Sequence, residues 1–267
     1  MTTRKQRLTF IICTYALFWI LILLIGVVIM TGLLPSEGAP MQLMVAVASW
    51  TPTIVLLILY RKINPGSTLK QFYKNAFKER INWKLIIVVT IVQLLVFIGA
   101  VSFVAITKEV SFDSILDLSI STLLLGFVWS LIQGATGEES GWRGFLQPSL
   151  EINNSVIKSS LITGIIWGFW HTPLWLMEGY NAIQLLTYIV GFLLSITSVS
   201  IIIGICYSRC KNLFVPMWIH FMFNFVLTVF TGNVLDLFIA LVVLYIFAAA
   251  GYVIWHKRQV GNGFPAK

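Results

Sequence analysis

Charge is scarce in this chain: Asp, Glu, Lys and Arg make up 10% of the 267 residues, against about a quarter in a soluble domain. That scarcity excludes a water-soluble fold. Apolar content of 58% and a mean hydropathy of +0.90 point instead to a multi-pass membrane protein. Cysteine is also rare. Cys13, Cys206 and Cys210 lie in or beside apolar runs, so no disulfide framework is expected, and two thiols without a nearby histidine make a weak metal site. There is no internal repeat, no HExxH zinc helix and no stretch polar enough for a soluble domain. The segment MTTRKQR enters an apolar run without a small-residue cleavage site, so it reads as a retained first span and not a signal peptide.

The chain consists mainly of apolar runs, at 10–31, 43–60, 84–106, 118–147, 157–177, 183–206, 213–230 and 236–255, each long enough to cross about 30 Å of hydrocarbon. The expected fold is an all-α integral membrane protein, a bundle of about eight transmembrane helices. Arg4, Lys5, Arg7, seven basic residues in 61–84, Arg209, Lys211, Lys257, Arg258 and Lys267 fall at one set of span ends. The alternate loops hold Lys108 against Glu37, Glu109, Asp113, Asp117, Glu178 and Asp236. This asymmetry places both termini in the cytoplasm and accounts for the net charge of +8 by an anionic membrane surface, with no nucleic acid partner. Residues 1–256 are expected to form one polytopic domain, followed by a short, disordered cytoplasmic tail at 257–267.

Between Arg61 and Lys84, Asn64-Pro65-Gly66 makes a turn and Ser67 can cap a helix after it. Leu69, Phe72, Tyr73, Ala76, Phe77 and Ile81 then recur at helical spacing opposite Lys70, Lys74 and Lys78. This is either an amphipathic helix on the inner leaflet or a solvated basic loop that only fixes topology.

Chemistry concentrates in GATGEESGWRGFLQP, residues 134–148, where Glu138, Glu139 and Arg143 follow directly on apolar sequence. Ionisable groups at such depth are costly and usually functional, unless they merely cap a helix at the surface. At about 100° per residue, Gly134, Gly137, Gly141 and Gly144 share one face with Glu138 at its border, while Glu139 and Arg143 lie together on the far side. Glu139 and Arg143 therefore read as an i, i+4 ion pair. Glu138 borders a small-residue strip that admits a neighbouring helix, and is left free for chemistry.

Two later spans supply partners. Gly164, Gly168 and His171 share a face, Trp167 stands one turn before His171, and Pro173 limits the helix beyond; His171 is a reactive group or a core histidine satisfied by a carbonyl or by Trp167. His220 and Asn224 are one turn apart, aimed at one point or serving as interhelical glue. Together these groups suit amide hydrolysis without a serine or cysteine nucleophile: a buried carboxylate takes a proton from water, and His220 with Asn224 stabilises the oxyanion.

The order EExxxR at 138–143, an aromatic one turn before His171, and HxxxN at 220–224 resembles the CPBP family of intramembrane proteases. That family includes the type II CAAX prenyl endopeptidases and the bacterial Abi-type proteins. The resemblance implies about eight helices around a cavity open to the cytoplasm and the bilayer. It further implies that Glu138 and His171 activate water and that His220 and Asn224 form the oxyanion site. It implies a lipidated or membrane-embedded peptide substrate and a bacterial cell membrane. The family motif is usually FxxxH, and Trp167 replaces its Phe, so a changed pocket wall is expected. No cofactor is expected. The competing readings are zinc held by Glu138, His171 and His220, a transporter relaying protons through buried Glu and His, and a non-catalytic immunity or scaffold protein of the same fold.

Overall fold

A computed structural model describes residues 3–35, 38–177 and 179–261. Glu37 and Glu178, used in the loop charge count, and 262–267 of the expected tail lie outside the described residues. The described residues are all-α, with one isolated antiparallel bridge between Leu116 and Phe230. The elements are α1 (Arg4–Met30), α2 (Ala39–Ser49), α3 (Thr51–Ile63), α4 (Leu69–Ala76), α5 (Trp83–Lys108), α6 (Ile120–Ser130), α7 (Gly137–Gly141), α8 (Gln147–Glu151), α9 (Val156–Trp170), α10 (Thr172–Trp175), α11 (Ala182–Cys210), α12 (Phe214–Thr228) and α13 (Val234–Gly261). The last helix continues five residues into the segment expected as tail.

Five helical stretches are long and apolar enough to cross a membrane, six when the bent pair α2–α3 is taken as one. The chain is a helical membrane protein. The two remaining apolar runs become α9 and α12, fifteen residues each, which at 1.5 Å per residue reach only about 22 Å. Helix starts follow the capping chemistry of the sequence. Thr3 and Asn181 form capping boxes with Gln6 and Gln184, and Asn82 and Ser155 accept from the first turns of α5 and α9.

The basic segment forms a shorter helix than its periodicity suggests. Thr68, not Ser67, caps α4, and the helix stops at Ala76, leaving Phe77 and Ile81 outside it. It stops there because its end is tied elsewhere: the carbonyls of Ala76 and Glu79 accept from Leu213 N at 2.7 Å and Asn212 Nδ2 at 2.6 Å.

The run read as one span at 118–147 is broken. Gln133 is extended (φ −78°, ψ 136°) and Gly134 has φ +74°, a conformation that a residue with a Cβ rarely adopts. A π-helical turn follows α7 at Trp142–Leu146, a distortion frequent at functional sites. Backbone groups freed inside a membrane need partners, and the α2–α3 junction supplies them. Trp50 Nε1 donates to the carbonyl of Ile132 at 2.8 Å, and Ser49 Oγ accepts from Gly134 N at 3.3 Å. That junction is itself bent by 42°, with Pro52 in the first turn of α3.

Two glycines of the expected strip, Gly137 and Gly141, are where α7 meets this junction. A Cβ on Gly141 would lie 2.8 Å from the carbonyl oxygen of Pro52, while Gly137 and Gly144 face the rings of Trp50 and Phe72. Small residues also join α9 to α11, where Ser200 Oγ donates to the carbonyl of Ser160 at 2.8 Å. A Cβ on Gly164 would sit 2.9 Å from Thr197 Cα. Around α12, Gln93 Nε2 donates to the carbonyl of Ile219 at 2.8 Å and Trp218 Nε1 donates to Thr90 at 2.8 Å. These bonds fix the helix that carries His220.

Candidate active site

Both glutamates sit in α7 and both are buried, Glu138 at 3% exposure and Glu139 at 0%, with Arg143 at 0%. They are therefore not a surface cap. Their surroundings differ. Oε2 of Glu138 accepts from two indoles, Trp142 Nε1 at 3.2 Å and Trp167 Nε1 at 2.6 Å. Its Oε1 accepts from no protein donor among the described residues. Oε1 of Glu139 accepts from Arg143 Nη1 at 2.9 Å and contacts His220 Nδ1 at 2.7 Å.

The expected i, i+4 pair thus forms, but Glu139 is more than a partner for Arg143. It joins α7 to α12 through His220, which the helical wheel did not anticipate. Arg143 has only one of its nitrogens on Glu139, and its guanidinium carbon lies 4.4 Å from the ring centroid of Trp167. A stacked cation of this kind is stabilised by the ring quadrupole when water is excluded.

His171 closes α9 as its C-terminal cap residue. Its Nδ1 lies 2.9 Å from the carbonyl oxygen of Trp167. A carbonyl can only accept, so Nδ1 carries the proton and Nε2 of the neutral ring keeps its lone pair. The carbonyl contact foreseen as a purely structural role is therefore present, and it leaves one basic nitrogen unused. Trp170 and Phe192 pack edge-on against the ring, at centroid distances of 4.7 and 5.1 Å.

On α12, His220 and Asn224 converge in front of the break at Gly134. A Cβ built on Gly134 would lie 2.6 Å from Asn224 Nδ2 and 2.9 Å from His220 Nε2. Two potential donors therefore meet at one point beside an extended backbone segment. Next to it, a cavity of about 450 Å³ lies between α2, α6 and α12, with Gln42, Ser130, Gln133 and Asn224 in its wall.

Three tryptophans complete the arrangement, and reading the sequence undervalued all of them. Trp167 was expected as a wall, yet it holds Glu138 by its indole and His171 by its carbonyl. Trp142 is an i, i+4 neighbour of Glu138, a spacing that was there to be read. Trp50 satisfies the broken helix from another element, and no local signal marks it.

Residues 120–226 match the family of Rce1-like type II CAAX prenyl endopeptidases. That segment runs from α6 into α12 and contains Glu138, Glu139, Arg143, His171, His220 and Asn224. The chain is similar to CAAX prenyl protease 2 of Methanococcus maripaludis, with 31% identity over 187 residues, covering 65% of this chain and 67% of that protein. The chain belongs to this CAAX endopeptidase family. It is a multi-pass membrane protease, a hydrolase of the CAAX-protease type. The transporter reading falls with that membership.

Proposed function

We propose that this chain is an intramembrane endopeptidase in which Glu138 and His171 activate water and His220 and Asn224 hold the oxyanion. The observation that carries this reading is the convergence of Asn224 Nδ2 and His220 Nε2 on the Gly134 break. A peptide carbonyl placed there meets two donors, and charge that develops on its oxygen is stabilised where little solvent competes. Water bound to the open Oε1 of Glu138 and to Nε2 of His171 loses a proton as its oxygen attacks the carbonyl carbon. Glu138 takes that proton and passes it to the peptide nitrogen as the C–N bond breaks, leaving a carboxylic acid and an amine. Glu139, fixed by Arg143, orients His220 and supports a proton on each of its nitrogens while the oxyanion is present.

The relative is named a CAAX prenyl protease, and the cysteine of a C-terminal C-a-a-X sequence is the residue that carries a prenyl chain. We take a lipidated, membrane-associated C-terminus as the substrate class. The cavity beside Asn224 extends to Thr122 and Thr228, at the ends of α6 and α12 remote from α4. With basic ends in the cytoplasm, that cavity lies in the opposite half of the bundle from the expected cytoplasmic mouth. Eight crossings with both termini inside fit the five long helices, the bent pair and the two short ones. Residues 1–256 act as one domain in this reading. The setting is a prokaryotic cell membrane, bacterial on the Abi-type resemblance.

Zinc fits the donors poorly. Among the described residues no three His, Cys, Asp or Glu groups come together as a metal set. The test is cleavage of a farnesylated CAAX-type fluorogenic peptide by the purified chain in proteoliposomes, beside the same peptide without its lipid. Cleavage of the lipidated form that vanishes in Glu138→Gln supports the proposal; equal cleavage by the Gln variant overturns it.

A further inference from the structure

On the face formed by α5, α11 and α13, a groove of about 960 Å³ opens at the N-terminal end of α5 and the C-terminal ends of the other two. None of the six site residues lines it. Its walls are apolar, with Val88 and Val92 on α5 and Ala248 and Trp255 on α13. Its rim is cationic: Lys84, Arg209 and Lys211 all line it, and no carboxylate does. Among the described residues, no salt bridge involves any of the three.

Arg209 is held for a purpose its protein partners do not exhaust. Its Nη2 donates to the carbonyl of His256 at 3.3 Å, and its guanidinium stacks 5.3 Å from the Trp255 ring centroid. Its Nε is sealed from solvent without an acceptor, as is the hydroxyl of Tyr252 in the same wall. Buried polar groups of this kind normally find a partner. Three cations gathered without a counter-charge at the mouth of an apolar groove call for a ligand with a negative head and a hydrocarbon body.

We propose that this groove binds an anionic phospholipid, its phosphate at Lys84, Arg209 and Lys211 and an acyl chain along α5 and α13. Basic pockets between membrane helices recognise lipid headgroups in this way. Inorganic phosphate has no use for the apolar depth, and a zwitterionic lipid brings its own cation to a cationic rim.

The experiment is native mass spectrometry of the full chain after exchange into nanodiscs of phosphatidylglycerol or phosphatidylcholine. Wild type should retain one phosphatidylglycerol and no phosphatidylcholine, and millimolar inorganic phosphate should not displace it. Lys84→Gln with Lys211→Gln, at positions outside the core, should weaken retention by roughly tenfold to thirtyfold. The control Lys70→Gln with Lys74→Gln on α4 removes the same charge elsewhere and should change nothing. Arg209→Gln should abolish retention; should it fail to fold, the lysine pair decides. Equal retention of both lipids, displacement by inorganic phosphate, an unchanged Lys84/Lys211 variant, or equal loss in the α4 control would each overturn the proposal.

Discussion

The indole of Trp167 donates to Glu138 Oε2 across 2.6 Å, while the carbonyl of the same residue holds His171 at 2.9 Å. One residue of α9 thereby orients both groups assigned to water. A phenylalanine, the usual residue of the family motif, can supply the carbonyl but not the N–H. Here the second indole, on Trp142, shares the task.

That sharing predicts strong coupling. Trp167→Phe and Trp142→Phe should each leave a folded enzyme with kcat lower by roughly tenfold to a hundredfold, since a hydrogen bond to a charged group contributes about 1.5 to 3 kcal/mol. The double variant should lose far more than the product of the two. The measurement is a double-mutant cycle on single-turnover cleavage; strict additivity would show that the two indoles act separately.

Glu139 and Arg143 should behave as structural necessities. Replacing either by Ala leaves an uncompensated buried charge, with a loss of about 3 to 5 kcal/mol, and Glu139→Ala also strips His220 of its anchor. Glu138→Gln should fold normally and be inactive. Folded yield and thermal melts of the three proteins distinguish them, and equal destabilisation by Glu138→Gln would refute the division of roles.

Asn224→Ala should lower kcat by roughly a hundredfold to a thousandfold with little change in KM, because its donor acts on charge present only in the transition state. Gly134→Ala should be at least as damaging, since the new methyl group would enter the space where Asn224 and His220 meet. A rise in KM at constant kcat would assign Asn224 to substrate binding instead.

Lys/Arg asymmetry predicts that a cysteine placed at Asp113 reacts with an impermeant reagent from outside, and one at Ser208 does not. The reverse labelling pattern would invert the bundle.

What could be read from the sequence is what helical geometry makes local. The Glu139–Arg143 pair, the one-turn spacing of His220 and Asn224 and the tight face of Gly164 and Gly168 all follow from 3.6 residues per turn. The contact of His220 with Glu139 depends on which helices are neighbours, and spacing within a single helix does not carry that. The break at Gln133–Gly134 stayed hidden because 118–147 reads as one continuous span, so Gly134 counted as part of a packing strip. Its actual role follows from a φ that only long-range support from Ser49 and Trp50 sustains. Helix α4 ended early for a similar reason, because Leu213 claims the carbonyl of its last residue, Ala76, and Asn212 that of Glu79 just beyond.

Each carboxylate of α7 has a partner four residues further along its own polypeptide, Trp142 for Glu138 and Arg143 for Glu139. Biogenesis benefits from this: the segment brings its own counter-charge and its own donor to the translocon, before α9 and α12 have been synthesised. Its entry into the lipid should therefore be sensitive to Arg143→Gln and indifferent to His220→Ala. Glycosylation-tag insertion assays on the full chain read that difference directly, and equal sensitivity to both changes would mean that partitioning waits for the later helices.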